Sequence, residues 1–587
     1  MNPTARFERD GAGTPESGCA PHRRWRRARR WLPVIVGMSL LPPFPAEEAA
    51  VHFEEVSAET GIVFEHENGA TTEKYLPETM GGGAVVFDYD DDGWVDVFFS
   101  NSGSLQDPQI EAGAMHRLFR NLGNGTFEDR SASAGIRADG YGMGACAADY
   151  DGDGWMDLYI TNVGPDALYR GTESGRFLEV TPAAGVGTSG WSTSCAFGDV
   201  DNDGDLDLYV TRYVEFSVGD NKYCGDFIRD IRTYCHPNVY AAQPDVLYRN
   251  EGDGSFTDVS RDAGIGQHGG IGLGVTFRDF DADGWLDIYV ANDSVPNFLF
   301  HNRGGGRFEE VGLFAGVAVG ADGQPLAGMG TDTGDVDGDG KPDIFVTNLD
   351  RQTHTLYRNL GDLLFADVTL ESRVGPATLP FVGFGAAFLD FDNDTDLDLA
   401  VANGDILDNV EYFRDTGSYP QRNLLLENDG AGRFEDVGPE AGPGLAIRRV
   451  SRALALGDLD NDGDVDMVVA NNGQRADVLR NEGGNRNNAL LVRLRGARDN
   501  RGGIGAVLKL FVDGQILVRS AKAGSSYLAQ NDLRVHFGLG PATSIPRLEV
   551  HWPRGAVDVI EDIETNRILT VREGMGVVGR QPFEEPE

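Results

Sequence analysis

Short apolar runs alternate along this chain with turns rich in Asp and Gly. Runs of small and apolar residues such as GMGACAA (142–148) and SRALALG (451–457) precede an acidic loop, and runs such as DLYVTR (207–212), DIYVAN (287–292) and DIFVTN (343–348) follow one. Apolar segments this short, bounded by turn residues, read as strand, loop, strand. Two further segments recur. One is LFRN at 118, LYRG at 168, LYRN at 247 and 356, LFHN at 299, LLEN at 425 and VLRN at 478; the other is FEDR at 127, FLEV at 177, FTDV at 256, FEEV at 308, FADV at 365 and FEDV at 434. Turn sequences such as GNG and GDG separate them, as in a hairpin. Each unit therefore carries four strands, and the chain is all-β.

The loops share one nine-residue pattern, Asp-x-Asp-x-Asp-Gly-x-x-Asp, starting at residues 88, 149, 199, 279, 335, 390 and 458. Spacings of 50 to 80 residues fit one supersecondary unit per copy with insertions of varying length. The ends specify how the array terminates. FEEV at 53–56 has no LYRN-type segment before it, and VLRN at 478–481 has no Phe-x-x-Val segment behind it. Pairing the stray N-terminal strand with the last unit completes all seven and predicts a seven-bladed β-propeller over 51–486, closed by that strand. An open array would leave two exposed edges and explain neither stray half.

Three carboxylates on alternate residues, a Gly at position six and a fourth carboxylate at position nine bring hard oxygens to one point. That is calcium chemistry. The expected ligands are Asp88, Asp90, Asp92 and Asp96 in the first loop and Asp149, Asp151, Asp153 and Asp157 in the second. Asp199, Asp201, Asp203 and Asp207 follow in the third, then Asp279, Asp281, Asp283 and Asp287 in the fourth. The last three loops supply Asp335, Asp337, Asp339 and Asp343; Asp390, Asp392, Asp394 and Asp398; and Asp458, Asp460, Asp462 and Asp466. Up to seven Ca²⁺ ions are expected. The sixth loop carries Thr395 in place of Gly, and a β-branched residue tolerates a positive φ poorly, so that site is expected weak or empty. An EF-hand is excluded, because position twelve is an apolar strand residue in every copy, from Phe99 to Val469.

The formal charge of −43 disfavours nucleic acid as a partner, and 40% apolar residues supply a core that a disordered acidic chain lacks. Residues 1–50 combine an Arg-rich stretch (23–30) with an apolar run from Trp31 to Leu41, the layout of a signal peptide or basic leader. Eleven residues are too few to span a bilayer, so no transmembrane span is expected in the mature chain and the location is read as secreted, periplasmic or cell-surface. In such a compartment Cys224 and Cys235 are the natural disulfide pair. Cys146 and Cys195, in apolar runs, are expected as buried free thiols.

The acidic loops joined to strands, with Phe384-Gly385-Ala386-Ala387 as an FG-GAP-like stretch, resemble the FG-GAP or VCBS repeats of integrin α-chain propellers. Beyond them NNALLVRLRG (487–496), NRGGIGAVLKL (500–510), GSSYLAQND (524–532), VHFGLG (535–540) and LEVHWPRG (548–555) look like the ASPIC/UnbV domain, expected as a compact β domain over 487–575 with a tail at 576–587. Propeller plus this tail is similar to the cartilage acidic protein family and its bacterial relatives. The resemblance implies a secreted, calcium-binding protein of the adhesion or matrix-interaction type. Its expected partners are an extracellular protein or a glycan, met through insertions 212–245 and 404–422. No linear catalytic motif is present. The alternative is a secreted carbohydrate-active or oxidative enzyme with its site at the central channel, for which His236, His268, His301 and His354 are the candidates in principle.

Overall fold

The computed structural model describes residues 51–106, 116–137, 140–498 and 500–584. The expected leader, residues 1–50, lies outside the described residues. What is described is all-β. Seven four-stranded antiparallel units follow one another, each ordered first, second, third, fourth strand from inside to outside. In the first unit the strands are Ala84–Phe87, Asp96–Phe99, Arg117–Asn121 and Phe127–Asp129. The second and third units also pair with each other, through Trp191 opposite Val163 and Pro165 opposite Ser189.

The stray N-terminal strand has found its partner. His52–Glu55 pairs antiparallel with Asp477–Glu482, Phe53 standing opposite Asn481. The first strand of each unit also packs against the first strand of the next, and that of the last unit packs against that of the first. The arrangement is β-propeller-like.

A recurrent Asn fastens the units together. At the end of the third strand, Asn121, Asn250, Asn302, Asn359, Asn428 and Asn481 each donate from Nδ2 to two carbonyls, one in their own acidic loop and one at the second position of a neighbouring unit's loop. Asn121 reaches Leu459 O at 2.7 Å, which ties the first unit to the last. The second unit has Gly171 there, and a Cβ at that position would come within 2.2 Å of Met156 O.

Residues 489–582 form two further four-stranded sheets around their own core of Leu490, Leu508, Phe537, Leu548 and Trp552. Gly576–Pro582 is the last strand, so regular structure continues into the stretch expected as a tail. From this second part a hairpin-like segment, residues 521–532, enters the space between the seven first strands and touches every one. Phe197 N donates to Ala523 O, Ser526 exchanges backbone bonds with Thr331, and Ala386 N donates to Ser526 Oγ. Ala529 and Gln530 pair parallel with Ala84 and Val85, Gln530 brackets the backbone of Ala147, and Asn531 and Asp532 bond Leu456. On the fourth unit, a Cβ at Gly274 would meet Ser526 O at 2.9 Å and Met329 O at 2.6 Å. The small residues of the first strands are thus explained by the backbone that must fit among them. Tyr527 and Leu528, both 0% exposed, fill the centre.

Two disulfides are present among the described residues. Cys224–Cys235 closes the hairpin Cys224–Asp226 / Ile231–Thr233 as expected. The free-thiol expectation for Cys146 and Cys195 is wrong: they are bonded, with Cα atoms 5.8 Å apart. They sit on the first strands of consecutive units, and side-by-side packing of these strands brings residues 49 apart in sequence together.

Candidate functional site

Each acidic loop links a first to a second strand and is shaped by its own carboxylates. In the first loop Asp88 accepts from Asp92 N and Gly93 N, both at 3.0 Å, and Asp92 accepts from Trp94 N. Asp96 accepts from Tyr89 N on one oxygen and from Asn121 N on the other. The bond from position six to the carboxylate of position one recurs in all seven loops at 2.9–3.1 Å, and the bond from position two to the carboxylate of position nine recurs at 2.9–3.2 Å. Positions one and nine therefore shape the loop, holding its backbone around their own carboxylates. Thr395 takes φ 97°, within the range of the glycines it replaces (86–105°), and keeps the 3.0 Å bond to Asp390. The missing Gly changes the strain of the sixth loop and leaves its shape intact.

In each of the first four loops at least three of the expected ligands are brought together. Oxygens of Asp88, Asp90 and Asp96 lie within 4.8 Å of one another, as do those of Asp149, Asp151 and Asp157, of Asp199, Asp201 and Asp203, and of Asp279, Asp281 and Asp283. At position three, Oδ1 of Asp90, Asp201, Asp337, Asp392 and Asp460 is buried and has no hydrogen-bond partner, as is Asp149 Oδ1 at position one of the second loop. A buried acceptor left without a donor costs roughly 1–3 kcal/mol. The same orphan in loop after loop, beside other carboxylates, fits a hard divalent cation.

Burial and the neighbouring carboxylates push these groups up. Asp88 and Asp149 rise to about 6 and Asp199 to about 7, chiefly because burial removes water, with Arg493 and Arg501 opposing at the first two. Asp343 rises to about 8, and Asp96, Asp157, Asp207, Asp398 and Asp466 lie well above the carboxylate range for the same reason. A cation supplies what desolvation has removed.

The sequence reading missed the third residue of the LYRN-type segment. In the first, second and fifth units this Arg reaches a loop carboxylate, whereas Arg249 and Arg480 pair with Glu251 and Glu482. Arg120 lies 2.5 Å from Asp90 and 2.7 Å from Asp92, Arg358 3.1 Å from Asp337, and Arg170 3.8 Å from Asp151. In the fourth unit the position is His301 and in the sixth Glu427. The signal was present, an Arg at the third position of the segment in five of seven copies.

Comparison with protein-family models matches residues 88–160, 149–210, 236–290, 279–346 and 335–401 to FG-GAP-like repeats, and residues 496–577 to ASPIC and UnbV. The chain is an FG-GAP-like repeat protein with an ASPIC and UnbV domain. Among curated proteins, human Cartilage acidic protein 1 is 29% identical over 57% of this chain and 50% of its own length, and the mouse protein 28% over 56% and 49%. The chain thus spans about half the length of the curated relatives it matches. A solved Agrocybe aegerita structure described as recognising non-reducing terminal N-acetylglucosamine is 17% identical over 61% of this chain and 79% of that one, with a TM-score of 0.33, too loose to carry an argument.

The ASPIC and UnbV part lies against the FG-GAP loops. Arg493 bonds Asp88 at 2.6 Å and also bonds Asp91, Arg501 stands 3.5 Å from Asp149, Arg519 donates to Thr395 O, and Arg534 donates to Asp458 O and Asn461. The insertions leave from the second strands, at the opposite ends from the Asp loops. They meet there: Arg229 donates to Tyr412 O, and Asn409 donates to Arg232 O. Phe227 is 74% and Ile228 98% exposed at the hairpin tip. The four histidines are dispersed. His236 bonds Ser294, His268 packs on Phe298 and Phe300, and His354 is buried, accepting from Asn348 N; His301 alone joins an acidic loop.

Proposed function

We propose that this chain is a secreted, calcium-binding interaction scaffold. Residues 51–486 form a closed seven-bladed ring, calcium stiffens the blades, and insertions 212–245 and 404–422 bind an extracellular protein or a glycan. The observation that carries the reading is the repeated carboxylate cluster with its buried, unpartnered oxygens. The hard-oxygen donor set suits calcium better than magnesium, which retains its waters and seldom sits in an all-protein cage. Pairing of the N-terminal strand with the last unit and the Asn121 bond to Leu459 support closure. Both disulfides support an oxidising compartment. Exposed loops on a rigid frame are where recognition normally resides.

With Kd of ~0.1–1 mM, typical of extracellular calcium modules, each filled site at ~10 times Kd adds roughly 1.4 kcal/mol. A metal count on the full chain, with melting in calcium and in chelator, tests this part; a metal-free protein with an unchanged melt overturns it. Glycan-array and pull-down screens of the full chain against a variant lacking 404–422 test the recognition part, which fails if every captured ligand binds both alike. The rival reading, an enzyme working in the central channel, meets a direct obstacle: residues 521–532 occupy the space between the first strands.

A further inference from the structure

The fourth FG-GAP loop differs from its siblings in the element it presents. Where five units place an Arg and one a Glu, His301 stands against the loop with its side chain only 6% exposed. Its Nδ1 is 3.0 Å from Asp287 Oδ1 and 3.8 Å from Asp281 Oδ2, and the three donors lie within 4.8 Å of one another. The backbone of the third strand fixes the ring, because Asn302 N donates to the same Asp287 oxygen and Asn302 Nδ2 stitches Val200 O and Leu286 O.

We propose that this loop is a mixed nitrogen and oxygen site for a borderline divalent metal, zinc or cobalt, whereas the other loops are all-oxygen sites. Calcium takes oxygen ligands and gains little from imidazole. Zinc is bound by imidazole and carboxylate in one tetrahedral shell, with metal–donor distances of about 2.0–2.2 Å, which places neighbouring donors about 3.4 Å apart. The His301–Asp287 and His301–Asp281 separations bracket that value. His301, Asp287 and Asp281 supply three donors, and the fourth position falls to Asp279, which shares a second cluster with Asp281, or to water. An Arg in this place is a tethered cation and cannot ligate, so one residue decides whether a loop takes a metal through nitrogen.

The inference rests on reading the loops as cation sites, and its test separates the two. The full chain is dialysed against micromolar zinc in millimolar calcium and its bound zinc counted, beside His301→Arg, which installs the residue its siblings carry. The expected result is about one zinc per chain more in the wild type than in the variant, with the calcium-dependent rise in melting temperature kept in both. Loss of a second-shell partner already weakens metal sites by about 10–100-fold, so removing the imidazole weakens zinc binding by more than tenfold. Cobalt added to the calcium-loaded wild type gives visible absorption of a nitrogen-ligated ion, and this readout needs no variant. A wild type that retains no zinc, or equal zinc in both proteins, overturns the proposal. If that happens while calcium still raises the melt, only the fourth-site assignment falls; if calcium does nothing, the scaffold reading falls whatever zinc does.

Discussion

Metal-free protein should lose stability as the pH rises from 5 to 8, the reverse of a fold held by ionised carboxylates in salt bridges. Asp199, 1% exposed, titrates at about 7 in the fold against ~3.9 in an unfolded chain, and Asp88 at about 6. A carboxyl raised on folding makes the folded state the better proton binder. Its contribution is fully present below pH ~4 and is lost as the pH climbs through the folded value. Between pH 5 and 8 that loss is about 3 kcal/mol for Asp199 and about 1 kcal/mol for Asp88. Other loops add to it in the same direction, since Asp149 and Asp279 also titrate at about 6. A bound cation removes the penalty, so the calcium-dependent gain in stability must widen with pH, and calcium added at pH 6 must release protons. Denaturant melts in chelator and in millimolar calcium at pH 5, 6, 7 and 8 measure both effects. A chelated protein equally stable at pH 8 and pH 5, or a calcium gain of constant size, refutes the account of the loops as desolvated carboxylate cages.

Removing the ring of Tyr527 by Tyr527→Ala should cost about 3–5 kcal/mol, because the side chain is fully buried, packs edge-on to Phe384 at 5.0 Å and donates to Met80 O. Tyr527→Phe should cost about 1 kcal/mol, and calorimetry that finds Tyr527→Ala neutral rejects the segment as a structural plug. Replacing Cys146 and Cys195 together by Ser should cost about 4 kcal/mol for the loop they close; reductant must narrow the gap between wild type and variant, and a gap unaffected by reductant contradicts the bond. Thr395→Gly should stabilise the sixth loop by about 1 kcal/mol and tighten its metal site, read by calorimetric titration; weakened binding would show that Thr395 contributes more than strain.

How much of this was legible in the sequence depended on period. The Asp pattern and the strand segments repeat locally, so the four-stranded unit and the carboxylate clusters could be read directly, and the stray FEEV at 53–56 needed only a partner that the segment at 478–481 supplied. Features that depend on contacts between units were not legible. Cys146 and Cys195 look like unrelated apolar thiols until consecutive first strands lie side by side. The GSSYLAQND stretch reads as one segment of the small β domain, and nothing local says that Ser526, Tyr527 and Leu528 belong in the centre of another set of sheets. The Arg of the LYRN-type segment was visible as letters, but its reach to position three of the loop appears only when the second and third strands are placed in register. Short one-turn helices such as Ser131–Ala134, closed by Gly135 at φ 83°, were also missed, because four residues carry too little periodicity to register.

These contacts give the molecule two unlike ends. At one end the Asp loops face the ASPIC and UnbV part, whose Arg493, Arg501 and Arg519 lie among carboxylates that a cation also seeks. The loops nearest those arginines are already partly neutralised by the chain, and in the seventh loop, which Arg534 meets, the extra carboxylate Asp464 is 1% exposed with Oδ1 unpartnered. If the loops bind calcium as proposed, metal occupancy and seating of the second part compete for the same carboxylates. The other end has no such partner among the described residues and bears the disulfide-closed hairpin with Phe227 and Ile228 at its tip. If calcium stiffens the Asp end as proposed, the opposite loops are the surface on which a ligand would bind without the cost of ordering the scaffold beneath it.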